Sequence, residues 1–289
     1  MTDKPTFSVI SPTYNCCEYI MRSYQCLLEQ TQTDWEWIIV DDGSTDNSSA
    51  VLSSINDERV KVYSYVRNKG RGYARNYALG KVTGKIVVVW DMDDLYIPKR
   101  LSLIKEAMSR NYDFFCSYAL IIDSEFNVKG GRYFGLGNFG LPRMFVHATL
   151  AFDAKLIGHV GYGENMVAGE DLILMVHLAQ QYKGFYSKEV LMLVVEDREI
   201  NLHKTLDMQK NHERSIRHLL KLNVLNITFL NKLKLLASLK KKTLILKAML
   251  LYPDIYLKTV KYRYLEAIDD KLLSEEAKSL IDKYKRNER

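Results

Sequence analysis

The chain has 289 residues, and its apolar fraction of 47% and charged fraction of 26% are those of a soluble globular protein. No apolar run approaches the roughly 20 residues that span a bilayer, and the first residues lack the basic-then-apolar pattern of a signal peptide. Its cysteines, which show no metal-site spacing, are Cys16, Cys17, Cys26 and Cys116. We therefore expect a reduced, cytoplasmic protein.

The charge is divided unevenly along the chain. Residues 204–289 hold 20 Lys and Arg against 10 Asp and Glu, whereas residues 1–203 hold 21 against 25. An acidic front followed by a basic tail predicts two parts with different tasks. We expect a catalytic domain over residues 1–203 and a basic helical extension over residues 204–289.

Strand and helix signals alternate through the first hundred residues. The predicted strands cover residues 7–11, 35–40, 60–65 and 85–90. The predicted helices cover residues 18–30 and 72–79, with one between them capped by Ser44 or Thr45 and another opened by Pro98. This order predicts a parallel sheet with right-handed crossovers.

The pattern loosens after residue 112. We expect strands over residues 114–122 and 190–195, a glycine-rich region between residues 130 and 140, and a helix over residues 171–181. Beyond His203 the chain reads as helical. Trp35 and Trp90 are expected in the core, and the histidines expected to be structural are His147, His159 and His177.

Carboxylates follow the most apolar strand. Residues 87–90 are Val-Val-Val-Trp, and Asp91, Asp93 and Asp94 come directly after them. On a continuing strand, Asp91 and Asp93 would point to the same side. Because like charges so placed repel, the pattern predicts a divalent cation, and one that carries a diphosphate fits best.

Two other predicted strands end in polar motifs, Pro12-Thr-Tyr-Asn15 and Asp41-Asp-Gly-Ser-Thr-Asp46. The carboxyl ends of parallel strands lie at one edge of a sheet, so the three motifs should converge on one cleft. Tyr14 offers a flat face for a base, and Asp41 offers a carboxylate for a ring N–H or a ribose hydroxyl. Each motif alone is also what a turn or a helix cap would use.

The motifs together resemble those of family 2 glycosyltransferases, which have the GT-A fold. The matching pieces are Ser11-Pro-Thr-Tyr-Asn15, Val40-Asp-Asp-Gly-Ser-Thr-Asp46, Asn68-Lys-Gly70 with Ala74-Arg-Asn76, Asp91-Met-Asp-Asp94 and Gly169-Glu-Asp171. The resemblance covers roughly residues 6–203. It implies a Rossmann-like α/β domain with a mostly parallel central sheet, followed here by the helical extension.

The resemblance also implies a donor site. Pro12 and Tyr14 would flank the nucleobase, and Asp41 would bond it. Arg71 and Arg75 lie where members of the family contact the nucleotide, although both could be solvated helix charges.

The remaining implied roles concern metal and catalysis. Asp91 would face the ribose, and Asp93 would coordinate Mn²⁺ or Mg²⁺, with His203 placed where a further metal ligand often lies. Asp171 would be the catalytic base, with Glu170 beside it shaping the acceptor site. Without the other motifs, Asp171 would read as an acid in the first turn of a helix.

The expected function is inverting transfer from a nucleotide sugar, preferably a UDP-sugar, to a hydroxyl of a glycan or lipid-linked glycan. Lipopolysaccharide or capsule synthesis is the expected setting, and no nucleic-acid partner is expected. The alternatives are a sugar nucleotidyltransferase and a non-catalytic binding or scaffold protein on the same fold. The basic tail fits either a helical subdomain or attachment to the inner leaflet of the membrane.

Overall fold

A computed structural model describes residues 4–135, 142–164, 169–196, 202–221, 225, 227–250 and 273–287. Within these residues, no helix has the length and apolar character needed to cross a membrane.

The first half of the chain alternates strands and helices, as the sequence predicts. Its elements are β1 (Phe7–Thr13), α1 (Cys17–Leu28), β2 (Trp35–Asp41), α2 (Ser48–Ser53), β3 (Val60–Ser64), α3 (Arg71–Leu79) and β4 (Ile86–Val89). The four strands are parallel, in the order β3-β2-β1-β4. The expected parallel sheet is therefore confirmed in this half.

The second half extends the same sheet with mixed strand directions. Its elements are β5 (Leu95–Tyr96), α4 (Arg100–Ser109), β6 (Phe114–Ile122), β7 (Val128–Arg132), β8 (Ala151–Asp153), α5 (Glu170–Gln181) and β9 (Gly184–Val195). The order continues from β4 through β8, β6 and β9 to β5, and only the β6–β9 pair among these contacts is parallel. β5 and β8 were not predicted, because two or three residues are too few to show a strand periodicity. β7, which pairs with β6, was not predicted either, because its Gly130 and Gly131 read as the start of the glycine-rich loop region.

Both faces of the sheet are covered, which explains the continuous apolar runs of its central strands. Trp37 and Ile39 of β2 enter the cluster on one face, and Ile38 and Val40 enter the cluster on the other. Trp35 and Trp90 are buried, as expected.

The described residues after the sheet form three helices: α6 (Leu202–Lys221), α7 (Phe229–Met249) and α8 (Glu275–Asn287). α6 and α7 share an apolar cluster with α5, while α8 packs into the main core beside α1. The predicted boundary at residue 203 falls in the first turn of α6. The helical extension is thus built onto the sheet domain at two places.

Two predicted helix starts are wrong. α2 begins at Ser48 after Asn47, and Ser44 and Thr45 serve the loop before it. α4 begins at Arg100, two residues after Pro98. Ser44 donates to Asp41, and the Pro98 carbonyl accepts from the Thr31 N–H at 3.0 Å, two contacts that sequence pattern does not reveal.

Candidate active site

The loops after β1 and β2 are joined by hydrogen bonds. The Asn15 backbone N–H donates to Ser44 Oγ at 2.9 Å, and the Thr45 N–H donates to Asn15 Oδ1 at 2.8 Å. Ser44 in turn donates to Asp41 Oδ1 through its hydroxyl at 2.5 Å and its N–H at 3.0 Å. The expected convergence of these strand ends is confirmed. Ser44 is used here to hold Asp41, which is why it does not cap α2.

The predicted base-binding residues lie beside this joint. Tyr14 is 45% exposed, so its ring is accessible, and Pro12 is half-buried at the end of β1. Asp41 is only 4% exposed, and it ends β2, in register with Thr13 of β1. The buried Asp41 carboxylate, held by Ser44, thus lies near the accessible Tyr14 ring.

Asp42 organises the next loop, a role that sequence reasoning missed. Its Oδ1 accepts from the Lys69 N–H and its Oδ2 accepts from the Gly70 N–H, each at 2.8 Å. Gly70 has φ +95°, a conformation that favours glycine, and α3 begins at the next residue. Asp42 therefore fixes where α3 begins. The sequence pattern that could have indicated this role is the pair of adjacent acids, Asp41 and Asp42.

The acidic segment lies in a turn, because β4 ends at Val89. The prediction that a continuing strand places Asp91 and Asp93 on one side is therefore wrong. Asp91 is half-buried, Asp93 is exposed and Asp94 is buried. Burial, together with the charges of Asp93 and Asp91, raises the pKa of Asp94 well above its usual range. Asp93 is thus the member of the group that presents its side chain to solvent.

Arg75 joins the acidic turn to α5. Its Nη2 lies 2.9 Å from Asp91 Oδ1, and its Nη1 lies 3.0 Å from Glu170 Oε1. The Arg75 side chain is 4% exposed, and Arg71, whose side chain is 66% exposed, places Nε 3.3 Å from the same Glu170 oxygen. Burial opposes ionisation of Asp91, but the Arg75 charge prevails and lowers the Asp91 pKa. The described polar contacts of Arg75 are with protein carboxylates, and its guanidinium also lies 5.4 Å from the centroid of the Tyr162 ring, which is the geometry of a positioning residue.

The start of α5 carries the predicted catalytic pair. Gly169 precedes it with φ +76°, and a Cβ there would lie 2.5 Å from Ser215 Oγ of α6. Glu170 is 4% exposed, and its carbonyl accepts from the Gly163 N–H at 2.9 Å. Burial and the neighbouring Glu170 charge raise the pKa of Asp171. A carboxylate with a raised pKa is a stronger proton acceptor, as a general base requires.

Asn76 and His147 support the segment that leads towards α5. Asn76 Nδ2 donates to the Tyr162 carbonyl at 2.9 Å, and the Tyr162 N–H donates to Asn76 Oδ1 at 2.8 Å. His147 Nε2 lies 3.0 Å from Tyr162 Oη. Burial and the nearby Arg75 charge lower the pKa of His147 to about 3, so its ring is neutral. In the sequence, this support is visible only as the adjacent polar residues Arg75 and Asn76 of α3. Arg75 contacts Asp91 and Glu170, and Asn76 contacts Tyr162.

His203 lies in the first turn of α6 with an exposed side chain. Across the described ranges, no group of three or more His, Cys, Asp or Glu residues has an arrangement that could hold a metal ion. His203 as a metal ligand therefore stays a prediction.

The sequence is similar to those of known glycosyltransferases. The profile described as glycosyl transferase family 2 matches residues 8–157. The chain is 38% identical over 122 residues to TuaG of Bacillus subtilis, named for teichuronic acid biosynthesis, covering 41% of this chain and 48% of that protein. It thus spans about half the length of that relative.

Two solved structures share the fold. Staphylococcus aureus TarS 1-349 in complex with UDP superposes with a TM-score of 0.58 at 19% identity, over 81% of this chain and 70% of that one. The mannosyltransferase PcManGT of Pyrobaculum calidifontis, in complex with GDP-Man and Mn²⁺, gives 0.58 at 16% identity, over 98% and 80%. These likenesses confirm the GT-A fold. With its profile match over more than half of its length, the chain belongs to glycosyl transferase family 2.

Proposed function

We propose that this protein transfers a sugar from a nucleotide-sugar donor to a hydroxyl of a glycan acceptor, with inversion at the anomeric carbon. The observation that carries the proposal is the Arg75 bridge. It ties the acidic turn, whose Asp93 is exposed, to the start of α5, where Asp171 has a raised pKa. A leaving-group site and a proton acceptor are thereby held by one buried side chain.

The donor roles follow from exposure and position. Tyr14 and Pro12 would flank the base, Asp41 would bond it, and Asp91 would face the ribose. Arg71, which is mostly exposed beside α5, would contact the nucleotide phosphates. A UDP-sugar is the proposed donor; TarS, of the same fold, is described in complex with UDP and PcManGT in complex with GDP-Man, so the donor assay includes both nucleotides.

The residues present fit a hard divalent cation bound through its substrate. Mg²⁺ is commonly held by one or two carboxylates together with substrate phosphates, which requires no preformed cage of protein ligands. Asp93 supplies an exposed carboxylate of this kind, and we assign it to Mn²⁺ or Mg²⁺, with His203 as a further ligand. When bound, the ion would neutralise charge on the departing diphosphate.

In the proposed reaction, the acceptor oxygen attacks the anomeric carbon opposite the diphosphate. A bond from carbon to the acceptor oxygen forms, the bond to the phosphate oxygen breaks, and the hydroxyl proton passes to the Asp171 carboxylate. Glu170 stays ion-paired to Arg75 and shapes the acceptor side.

The proposed acceptor is a growing bacterial surface glycan, as in lipopolysaccharide or capsule synthesis. TuaG of Bacillus subtilis is named for the biosynthesis of teichuronic acid, which is a different bacterial polysaccharide. A lipid-linked acceptor would place the protein at the cytoplasmic face of the membrane.

The proposal is tested by donor hydrolysis and transfer, assayed with and without Mn²⁺. Asp93→Ala should abolish turnover and weaken metal-dependent UDP binding. Asp171→Asn should keep UDP binding and lose transfer. A scaffold protein would show no metal-dependent hydrolysis, and a nucleotidyltransferase would release diphosphate from a nucleoside triphosphate and a sugar phosphate. Unchanged turnover of Asp93→Ala in excess metal would overturn the assignment.

A further inference from the structure

Helix α7 exposes apolar side chains on the side away from the domain. Leu230, Leu233, Leu244 and Ile245 are 58%, 49%, 56% and 44% exposed, and Phe229 at the start of the helix is 76% exposed. At 100° per residue the four aliphatic residues fall on one side of the helix. We call these five residues the outer face of α7.

Packing among the described residues does not account for the outer face. A separate stripe, Leu235, Leu239 and Leu246, is buried on the other side of the helix. Leu235 and Leu239 join the cluster with α5 and α6, and Leu246 joins residues of α6. The inner stripe is therefore what holds α7 on the domain. Among the described residues, about half of the large apolar side chains that are exposed lie between Phe229 and Leu250.

The charge of α7 has a single sign. The helix contains six lysines and no Asp or Glu, whereas α8 mixes acidic and basic residues. Lys234, Lys240, Lys241 and Lys247 are exposed. Lysines of this kind can extend their amines towards phosphates while their stems lie along apolar surface.

We propose that the outer face of α7 docks on an anionic lipid surface, with the helix lying in the plane of the headgroups. Apolar side chains would enter the interface, and the lysines would contact lipid phosphates. A second copy of this chain fits less well, because two helices with six lysines each would repel. The choice of the inner leaflet rests on the proposed function, but the lipid contact itself does not.

The test is cosedimentation of the full chain with vesicles. One set is phosphatidylcholine alone, and the other is equal parts phosphatidylcholine and phosphatidylglycerol. We expect binding to the anionic vesicles that weakens as salt rises. Because each lysine near an anionic surface adds about a fivefold factor in affinity, replacing Lys234, Lys241 and Lys247 with Gln should weaken partitioning by about 100-fold.

The matched control replaces three other exposed lysines, Lys4, Lys85 and Lys188, with Gln, which changes the net charge equally. This control should bind as the wild type does. A second variant, Leu230→Ser with Leu244→Ser, should lose binding in low and high salt alike, with an unchanged circular dichroism spectrum.

Three results would overturn the proposal: no preference of the wild type for anionic vesicles, equal losses in the control and the α7 variants, or a dimer in light scattering that the Leu230→Ser, Leu244→Ser variant dissociates. Metal-dependent donor hydrolysis by the same variants should stay unchanged. If the wild type shows no metal-dependent donor hydrolysis, the proposed function is wrong, while vesicle binding still decides the role of α7.

Discussion

Removing the Arg75 cation is predicted to damage both stability and turnover. The guanidinium is buried between Asp91 and Glu170, at 2.9 and 3.0 Å. Breaking a buried ion pair by removing one partner costs about 3–5 kcal/mol, because the other charge stays buried. Asp91 keeps 26% of its side chain exposed, and Arg71 lies 3.3 Å from Glu170, so both carboxylates keep partial compensation. We therefore expect Arg75→Met to cost about 3 kcal/mol, the lower end of that range.

The measurement is thermal and urea denaturation beside donor turnover. For a chain of 289 residues, a loss of about 3 kcal/mol lowers Tm by about 5 °C. Arg71→Met is the matched control, since its side chain is 66% exposed and its loss should cost less than about 1 kcal/mol. Replacing Glu170 with Gln in the Arg75→Met background should restore part of the lost stability, because it removes one of the two uncompensated charges.

Arg75→Lys separates positioning from folding. Lysine keeps the charge, but its N–H groups share one nitrogen and cannot reproduce the spacing between Nη1 and Nη2 that reaches the two carboxylates. We expect a smaller loss of Tm than in Arg75→Met, together with a fall in kcat of about 10²-fold as the acidic turn and α5 shift relative to each other. An Arg75→Met protein as stable as Arg71→Met, or an Arg75→Lys enzyme with wild-type kcat, would refute the bridge.

Three further substitutions follow from the site. Because burial and Glu170 raise the pKa of Asp171, the ionised carboxylate destabilises the folded protein at any pH above the pKa of the unfolded state. Asp171→Asn should therefore raise Tm at pH 7 and lose this advantage below about pH 4. The same substitution should reduce transfer by about 10²–10⁴-fold. Equal Tm differences at both pH values would contradict this reasoning. The pKa of His147 is lowered from 6.5 to about 3, so the wild-type protein should lose stability as the pH falls below about 6.5. In denaturation between pH 7 and 5, the free energy of unfolding of His147→Gln should fall less steeply than that of the wild type, by up to about 1.4 kcal/mol per pH unit. Equal slopes in the two proteins would contradict a buried neutral His147. A Cβ on Gly72 would lie 2.3 Å from the Gly163 carbonyl oxygen, so Gly72→Ala should lower the free energy of unfolding by about 1–3 kcal/mol in urea denaturation. Unchanged stability would mean that the segment around Gly163 can move away from α3.

The parallel half of the fold could be read from the sequence because its strands are covered on both faces and separated by helices of ordinary length. The motif positions could also be read, since turns at strand ends must contain polar residues and parallel strands place those ends together. The half of the sheet with mixed strand directions was harder to predict from the sequence. β8 spans only Ala151–Asp153, and its place between β4 and β6 depends on pairing across distant parts of the chain.

The sequence by itself determined that polar motifs gather at the carboxyl ends of β1, β2 and β4, with carboxylates after β2 and β4, because the alternation of strands and helices requires it. Only the tertiary structure decided which of them are exposed and which are paired. Asp93 reaches solvent, while Asp91 is held by a buried arginine 16 residues earlier, which also holds Glu170. Pairing of this kind depends on distances between segments far apart in the chain, and on burial that makes an unpaired charge costly, neither of which a linear pattern encodes.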